Sequence, residues 1–330
     1  MKGKIVILGG GIAGISAKLI NKNALLIDKS KYMIMAPRLI DILSGYPEEH
    51  AMINRKVDII DNVKNIDFKN KSVILDNNTV NYEKLIIALG ASQNYSFING
   101  SQYIYGLSSI EDAIKIREKF KTSDNIVIIG GGYLGIEIAG TIKNKNITII
   151  ERDKRLLTGL PDNFHICAEN ILKKNNVKII YNSSVKSVAK DKVITSDKEY
   201  ESDLTLFAGG LTGNRIIGNL NITNKNSKIV VDKYLRSLDY PDVYACGDSM
   251  SVENYHNIPM SAIIARSSGI TAMYNAMGNM KEFRANNYVN IVEIGNNYFG
   301  SVNNSFIKGN VAKFIKKVAI ALSANYARSI

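Results

Sequence analysis

An α/β fold of two parallel-sheet nucleotide units is what this 330-residue sequence predicts. Three observations predict it. The apolar run Lys4-Ile5-Val6-Ile7-Leu8 leads straight into Gly9-Gly10-Gly11-Ile12-Ala13-Gly14, and Asn125-Ile126-Val127-Ile128-Ile129 leads into Gly130-Gly131-Gly132-Tyr133-Leu134-Gly135. About twenty residues after each glycine turn an acid closes another apolar run, Asp28 after Ala24 to Ile27 and Glu151 after Ile147 to Ile150. Two later runs, Leu204 to Gly210 and Val243 to Asp248, carry glycine at their ends, so the halves of the chain repeat one another. Strand, glycine turn, helix, strand and acid, given twice, is the pattern of two Rossmann-like dinucleotide-binding units.

In each G-x-G-x-x-G the first glycine permits the tight turn. The second lets the backbone approach a pyrophosphate, and the third lets helix and strand pack closely. The helix N-terminus adds free N–H groups and a positive dipole end. The first site is therefore expected to use Gly9, Gly11, Ile12, Ala13, Gly14, Asp28 and the adjacent Lys29, and the second Gly130, Gly132, Tyr133, Leu134, Gly135 and Glu151. Each acid is placed to accept from adenosine ribose hydroxyls. Glu151 would repel a 2′-phosphate, which favours NADH over NADPH, and Arg152 beside it is the counter-signal. The plain alternative is a pair of glycine-rich turns without a ligand, and the repeated context argues against it.

Along the chain, residues 32 to 62 are less regular and hold Pro37 and Pro47. Ser72 to Leu75 and Leu85 to Gly90 read as strands, and residues 109 to 121 as an amphipathic helix begun by Ser108 or Ser109. The second unit runs from 125 to about 210, with a helix at 163 to 174 and a strand at Val177 to Ile180. The chain then returns to the first unit near residue 233. The expected domains are residues 1–106 with 233–285, an inserted 107–232, and a C-terminal segment 286–330. In that segment Ile307, Val311, Phe314, Ile315, Val318 and Leu322 form an apolar helical stripe, with Lys308, Lys313, Lys316 and Lys317 off it. Such a helix rests on an anionic bilayer, packs on its own protein or meets a second subunit.

The net charge of +12 fits nucleic acid, an anionic membrane surface or anionic cofactors. No nucleic-acid motif accompanies it and the lysines are scattered, so nucleic acid is not an expected partner. No signal peptide is visible, because the first apolar run enters the glycine turn directly. No run approaches the roughly 18 apolar residues that span a bilayer. Cys167 and Cys246 make neither a metal spacing nor C-x-x-C, so a cytoplasmic, reducing setting is expected and no metal site is. His50, His165 and His256 stand apart from the motifs and are given no catalytic role.

This arrangement resembles the two-dinucleotide-binding-domain flavoproteins over nearly the whole chain. The resemblance rests on both fingerprints, on Leu85 to Ala91, on Ala208-Gly209-Gly210 and on Tyr244-Ala245-Cys246-Gly247-Asp248. It implies FAD at the first fingerprint and NAD(P)H at the second, with Gly209 beside the second. Ala88 and Gly90 would line the flavin site, and Gly247-Asp248 would place a carboxylate on the flavin ribitol. It also implies that Tyr133 covers the flavin until the nicotinamide enters, and that Glu137 lies beside both rings. There Glu137 would polarise the nicotinamide amide or meet a nearby lysine. The plain alternatives are a surface tyrosine and a first-turn glutamate favoured by the helix dipole.

The acceptor is the open question. Disulfide reductases carry a redox cysteine in the first domain, and residues 29 to 60 have none. Cys167 and Cys246 do not match the cysteine pair of sulfide:quinone reductases either, and buried structural thiols are expected. The cysteine-free segment with Pro37 is most similar to the type II NADH dehydrogenases. Tyr82-Glu83-Lys84-Leu85, Ile110-Glu111-Asp112-Ala113 and Ile258-Pro259-Met260-Ser261-Ala262 add to that likeness. The likeness implies a non-pumping NADH:quinone oxidoreductase, peripheral on the inner face of the cell membrane, with its C-terminal end as membrane anchor and homodimer contact. In that family A-Q-x-A-x-Q marks the quinone site. Here the run is Ala262-Ile263-Ile264-Ala265-Arg266-Ser267, with both glutamines replaced. Ala262 is expected at the flavin, and Ala262, Ile263, Arg266 and Ser267 on the quinone side. The alternatives are a soluble NADH oxidase, a ferredoxin-type reductase, and a flavoprotein that senses NADH.

Overall fold

The computed structural model describes residues 4–255, 258–286 and 288–329, so His256 lies outside the described residues. The chain begins β1 (Ile5–Leu8), α1 (Ile12–Ile20), β2 (Leu25–Asp28), α2 (Ala36–Leu43), β3 (Ile59–Ile60) and β4 (Lys84–Ile87). It continues β5 (Ile104–Gly106), α3 (Ile110–Thr122), β6 (Asn125–Ile129), α4 (Tyr133–Thr141), β7 (Asn146–Ile150), α5 (Asp162–Lys174), β8 (Lys178–Ile180) and β9 (Leu204–Phe207). Then come β10 (Val243–Ala245), α6 (Ala262–Ala276), β11 (Val289–Ile294), β12 (Asn297–Val302), β13 (Ser305–Lys308) and α7 (Asn310–Ala327).

Two five-stranded parallel sheets carry the fold. The first has the order β10-β4-β1-β2-β3 and the second β5-β9-β6-β7-β8. Their central strands are covered on both faces, which is why they are runs of branched apolar residues and not alternating ones. Val6, Ile7 and Leu8 are 0% exposed. The sheets correspond strand for strand through β1 and β6, β2 and β7, β3 and β8, and β4 and β9. Each unit also bears a three-stranded antiparallel sheet, at 63–81 and at 185–201. The short strands Ala91–Gln93 and Leu211–Gly213 pair antiparallel and join the two units.

Local rules place most boundaries. Ser109 caps α3 in a reciprocal capping box with Asp112, as the serine before the amphipathic run predicts. The segment around Pro37 is more regular than expected. It forms α2 with Pro37 in the first turn, flanked by the antiparallel pair Tyr32–Ile34 and Met52–Asn54. Proline is tolerated there because a first-turn N–H has no intrahelical acceptor. The C-terminal segment is also richer than one helix. The antiparallel sheet β11-β12-β13 precedes α7, and Ile307 lies on β13 rather than on the helix. The large apolar stripe of α7 faces solvent, with Val311 58%, Phe314 69% and Leu322 63% exposed, while Ala312, Ala324 and Ala327 are buried. Small residues turn inward because the helix lies close against its supports.

Candidate functional site

The two glycine turns are built alike. Gly9 has φ +94°, and a Cβ there would lie 2.2 Å from the Ala88 carbonyl oxygen; Gly130 has φ +107°, with the Ala208 oxygen at 2.6 Å. The third glycines press on the first ones, since a Cβ on Gly14 would lie 1.8 Å from the Gly9 oxygen and one on Gly135 2.0 Å from the Gly130 oxygen. A Cβ on the second glycines, Gly11 and Gly132, would meet no protein atom within 4 Å. That open direction at the start of α1 and α4 is a cradle a pyrophosphate fits.

The acids brace these turns. Asp28 accepts from the Gly10 N–H at 2.6 Å and the Ser30 N–H at 2.9 Å. Glu151 accepts from the Gly131 N–H at 2.6 Å and the Asp153 N–H at 2.9 Å. Each carboxylate keeps further lone pairs for a sugar hydroxyl. Gly209 touches the second turn, because a Cβ on Gly130 would lie 2.8 Å from its Cα. Arg55, absent from the sequence expectations, lies against the first turn with its Nη2 3.2 Å from Asp28 Oδ2.

Other expected residues converge on the first turn. The Gly90 N–H donates to Ser249 Oγ at 2.9 Å, and the Gly247 N–H to Ser268 Oγ of α6 at 2.9 Å. A Cβ on Gly247 would lie 2.9 Å from that of Ala13 and 3.8 Å from that of Ala265. The loop after β4, the loop after β10, α1 and α6 therefore share one cleft, and Asp248 is part of it. Burial raises the Asp248 carboxyl above its ordinary range against the pull of Lys228. Burial lowers Lys228 in turn. Ala88 is buried and donates its N–H to the Leu8 carbonyl at 2.7 Å. Lys29 and Pro37 are exposed.

Glu137 is not a dipole-stabilised surface acid. Lys316 Nζ, from α7, lies 2.7 Å from Glu137 Oε1 and 3.0 Å from Glu293 Oε2. The Glu293 N–H donates to Glu137 at 3.2 Å, and the Tyr298 hydroxyl donates to Glu293 at 2.5 Å. Two carboxylates on one ammonium leave a surplus negative charge. Burial, the largest effect, pushes the Glu137 carboxyl up. Burial alone would lower Lys316, but the two carboxylates outweigh it and hold the ammonium above its ordinary range. Tyr133, one turn before Glu137, is 39% exposed, and its hydroxyl is pushed up to about 12 by desolvation and by Glu137.

On the expected acceptor side Ala262, Ile263 and Arg266 are exposed and Ser267 is half-buried. The Arg266 guanidinium lies over the Tyr326 ring of α7 at 4.6 Å. Cys246 is buried, its thiol pushed up to about 12 by desolvation, and Cys167 is half-buried on α5. His50 is paired with Asp41 at 2.8 Å. Sequence reasoning missed Arg55, Ser249, Ser268, Glu293 and Tyr298, and placed Lys316 only off the apolar stripe of the C-terminal helix. The spacing of Lys316 from Ala312, Ile320 and Ala324 does put it on their helical face.

A family model described as pyridine nucleotide-disulphide oxidoreductase matches residues 3–269. An Arabidopsis thaliana protein, alternative NAD(P)H-ubiquinone oxidoreductase C1, is 23% identical over 93% of this chain and 74% of its own length. The NADH-rubredoxin oxidoreductase of Clostridium acetobutylicum is 32% identical over 83% of this chain and 75% of its own. The chain spans about half, 51%, of an Enterococcus faecalis NADH oxidase that it matches at 28% identity. In fold it is similar to NDH2 of Plasmodium falciparum solved with NADH, with a TM-score of 0.85 at 20% identity, covering 99% of this chain and 97% of that one. The chain belongs to the pyridine nucleotide-disulphide oxidoreductase family. It is an NAD(P)H oxidoreductase flavoprotein with FAD and NAD(P)H as cofactors.

Proposed function

We propose that this family member oxidises NADH and reduces a quinone at a membrane surface, without pumping protons. The overall conversion is NADH, one proton and quinone to NAD⁺ and quinol. FAD held at the first turn supplies the two-electron relay between the two substrates. The chain's own residues bind, orient and hold protons. Gly9, Gly11, Gly14, Asp28, Gly90 and Asp248 form the cradle for FAD, and Gly130, Gly132, Gly135 and Glu151 that for NADH. Glu151 favours NADH because its charge would oppose a 2′-phosphate. Quinone reduction takes up one proton beyond the transferred hydride. The Glu137–Lys316–Glu293 cluster carries a surplus negative charge and so has room to hold that proton at the Glu137 carboxyl.

The observation that carries the quinone reading is the solvent-facing stripe Val311, Phe314, Val318 and Leu322 on α7. An exposed apolar helix face with lysines beside it suits a bilayer surface, where a lipid-soluble acceptor resides. No helix among the described residues is long and apolar enough to cross a membrane. The cysteines support the same reading, since neither gives the first unit an accessible thiol. A second reading, a soluble iron–sulfur acceptor, is favoured by the 32% identity to a protein named NADH-rubredoxin oxidoreductase. The net charge of +12 would also attract an acidic carrier.

The test is anaerobic. NADH is expected to bleach the flavin absorbance, and a menaquinone or ubiquinone analogue to restore it faster than rubredoxin or oxygen does. Recovery only with rubredoxin or oxygen would move the assignment to the second reading. No bleaching would refute hydride delivery from the second turn. Replacing Val311, Phe314, Val318 and Leu322 together by serine is expected to abolish binding to anionic liposomes, and persistent binding would refute the α7 surface. These substitutions leave Lys316 and the buried alanines in place, which a truncation would remove.

A further inference from the structure

Arg55 is a deeply buried charged group at the first glycine turn, its side chain 2% exposed. It follows the short strand Met52–Asn54, and its own N–H is tied to the Lys31 carbonyl at 3.3 Å. One guanidinium nitrogen, Nη2, is occupied by Asp28 at 3.2 Å and the Tyr32 carbonyl at 3.3 Å. Nε and Nη1 are buried and have no hydrogen-bond partner among the described residues. An unpaired buried N–H costs roughly 1–3 kcal/mol, more on a charged group, so two on one side chain call for acceptors.

The location says where those acceptors come from. A Cβ on Gly10 would lie 2.2 Å from Arg55 Nη1, so the guanidinium rests directly on the first turn, on the side of Asp28. Asp28 also binds that turn through the Gly10 N–H. The second unit provides an internal comparison. At the matching place a Cβ on Gly131 would lie 2.4 Å from Leu156 Cδ2. The residue between the first two motif glycines is therefore packed against a side-chain tip in both units, but one turn is backed by a cation and the other by a hydrocarbon.

We propose that Arg55 anchors FAD, its Nε and Nη1 N–H groups donating to oxygens of the adenosine half. This rests on the assignment of FAD to the first turn. The difference between the turns matches the different tasks of their ligands. A flavin remains bound through every catalytic cycle, whereas the nicotinamide dinucleotide must leave after each one. Charge-assisted hydrogen bonds from a buried, pre-positioned guanidinium lengthen residence, and a leucine in the same place allows release.

The test is Arg55→Leu, which puts at the first turn the side-chain type found at the second, with Arg55→Lys beside it. FAD is stripped from each protein, and the apoprotein is titrated with FAD by flavin fluorescence and melted with and without FAD. NADH affinity of the reloaded enzyme is measured in parallel. Arg55→Leu is expected to weaken FAD roughly tenfold to a hundredfold, to shrink the thermal upshift that FAD gives, and to leave NADH affinity within about twofold. An FAD affinity within about twofold of wild type would overturn the proposal. Weakened NADH with unchanged FAD would overturn the assignment of the first turn instead. A lower apoprotein melting point with a full FAD upshift would make Arg55 a brace for Asp28 only. If the leucine variant does not fold, Arg55→Lys decides, since it keeps the charge but loses the paired N–H geometry. Wild-type FAD affinity there would refute the anchor.

Discussion

Replacing Lys316 by methionine keeps the length of the side chain and removes the cation that bridges Glu137 and Glu293. Its ammonium stands 2.7 Å and 3.0 Å from their oxygens, and the side chains of Lys316 and Glu137 are 13% and 14% exposed. Taking one partner from so buried a pair costs about 3–5 kcal/mol. With an unfolding entropy of roughly 2.1 cal/mol/K per residue over this chain, the melting temperature drops by about 4–7 °C. The sign with pH is specific. The Glu137 carboxyl is already raised by burial, and methionine removes the group that pulls it down. A raised carboxyl favours the folded state while protonated and loses that advantage as pH rises through its folded value. Lys316 is raised, so its contribution in the wild type is full below about 10.5, the ordinary lysine value, and is lost only as pH rises through the higher folded value. The gap between variant and wild type is therefore narrow near about pH 5 and wide near about pH 9. Melting curves at several pH values, at fixed salt and saturating FAD, measure it. Equal melting temperatures throughout, or a gap that ignores pH, would refute the charge argument. Glu293→Gln, which leaves one acid facing one base, is expected to stay within about 1 kcal/mol of wild type.

Three further outcomes follow from the glycine turns and their acids. Gly11→Ala adds a methyl that meets no protein atom within 4 Å, so the apoprotein is expected to melt like wild type while FAD affinity falls about tenfold or more in a fluorescence titration. Gly9→Ala places its methyl 2.2 Å from the Ala88 oxygen at φ +94°, so a loss of folded yield on a sizing column is expected whether or not FAD is present. Glu151→Gln sets an amide donor against the Gly131 or Asp153 N–H. NADH KM is expected to rise about tenfold with FAD still bound, and an unchanged KM would count against NADH at the second turn.

The glycine turns were legible in the sequence because each is a local device. Strand, turn and acid lie within about thirty residues, and their chemistry fixes the spacing. The capping box at Ser109 was legible for the same reason. The charge cluster was anticipated only as an unnamed lysine near Glu137, implied by the family resemblance. Glu137 and Lys316 are 179 residues apart, and no periodicity links an acid on α4 to a lysine on α7. The orientation of α7 was left open by its sequence, for a physical reason. The inward positions are alanines, chosen for close approach, so a stripe of large side chains marked the outer face. Arg55 carried no signal beyond being one of many basic residues, and only its burial distinguishes it.

The interleaving of the two sheets bears on how the chain is made. Every strand of the second sheet falls between Ile104 and Phe207, whereas the first sheet lacks β10 until Val243–Ala245 emerge. During synthesis the later-encoded unit thus has all its strands while the earlier one still shows the bare edge of β4. That edge carries Leu85, Ile86 and Ile87, an apolar strand with open hydrogen-bonding groups that invites pairing with a foreign strand. A pause in synthesis after Phe207 has left the ribosome and before Val243 has would hold that edge open. Substitutions that slow elongation there would lower yield without touching any contact of the finished protein.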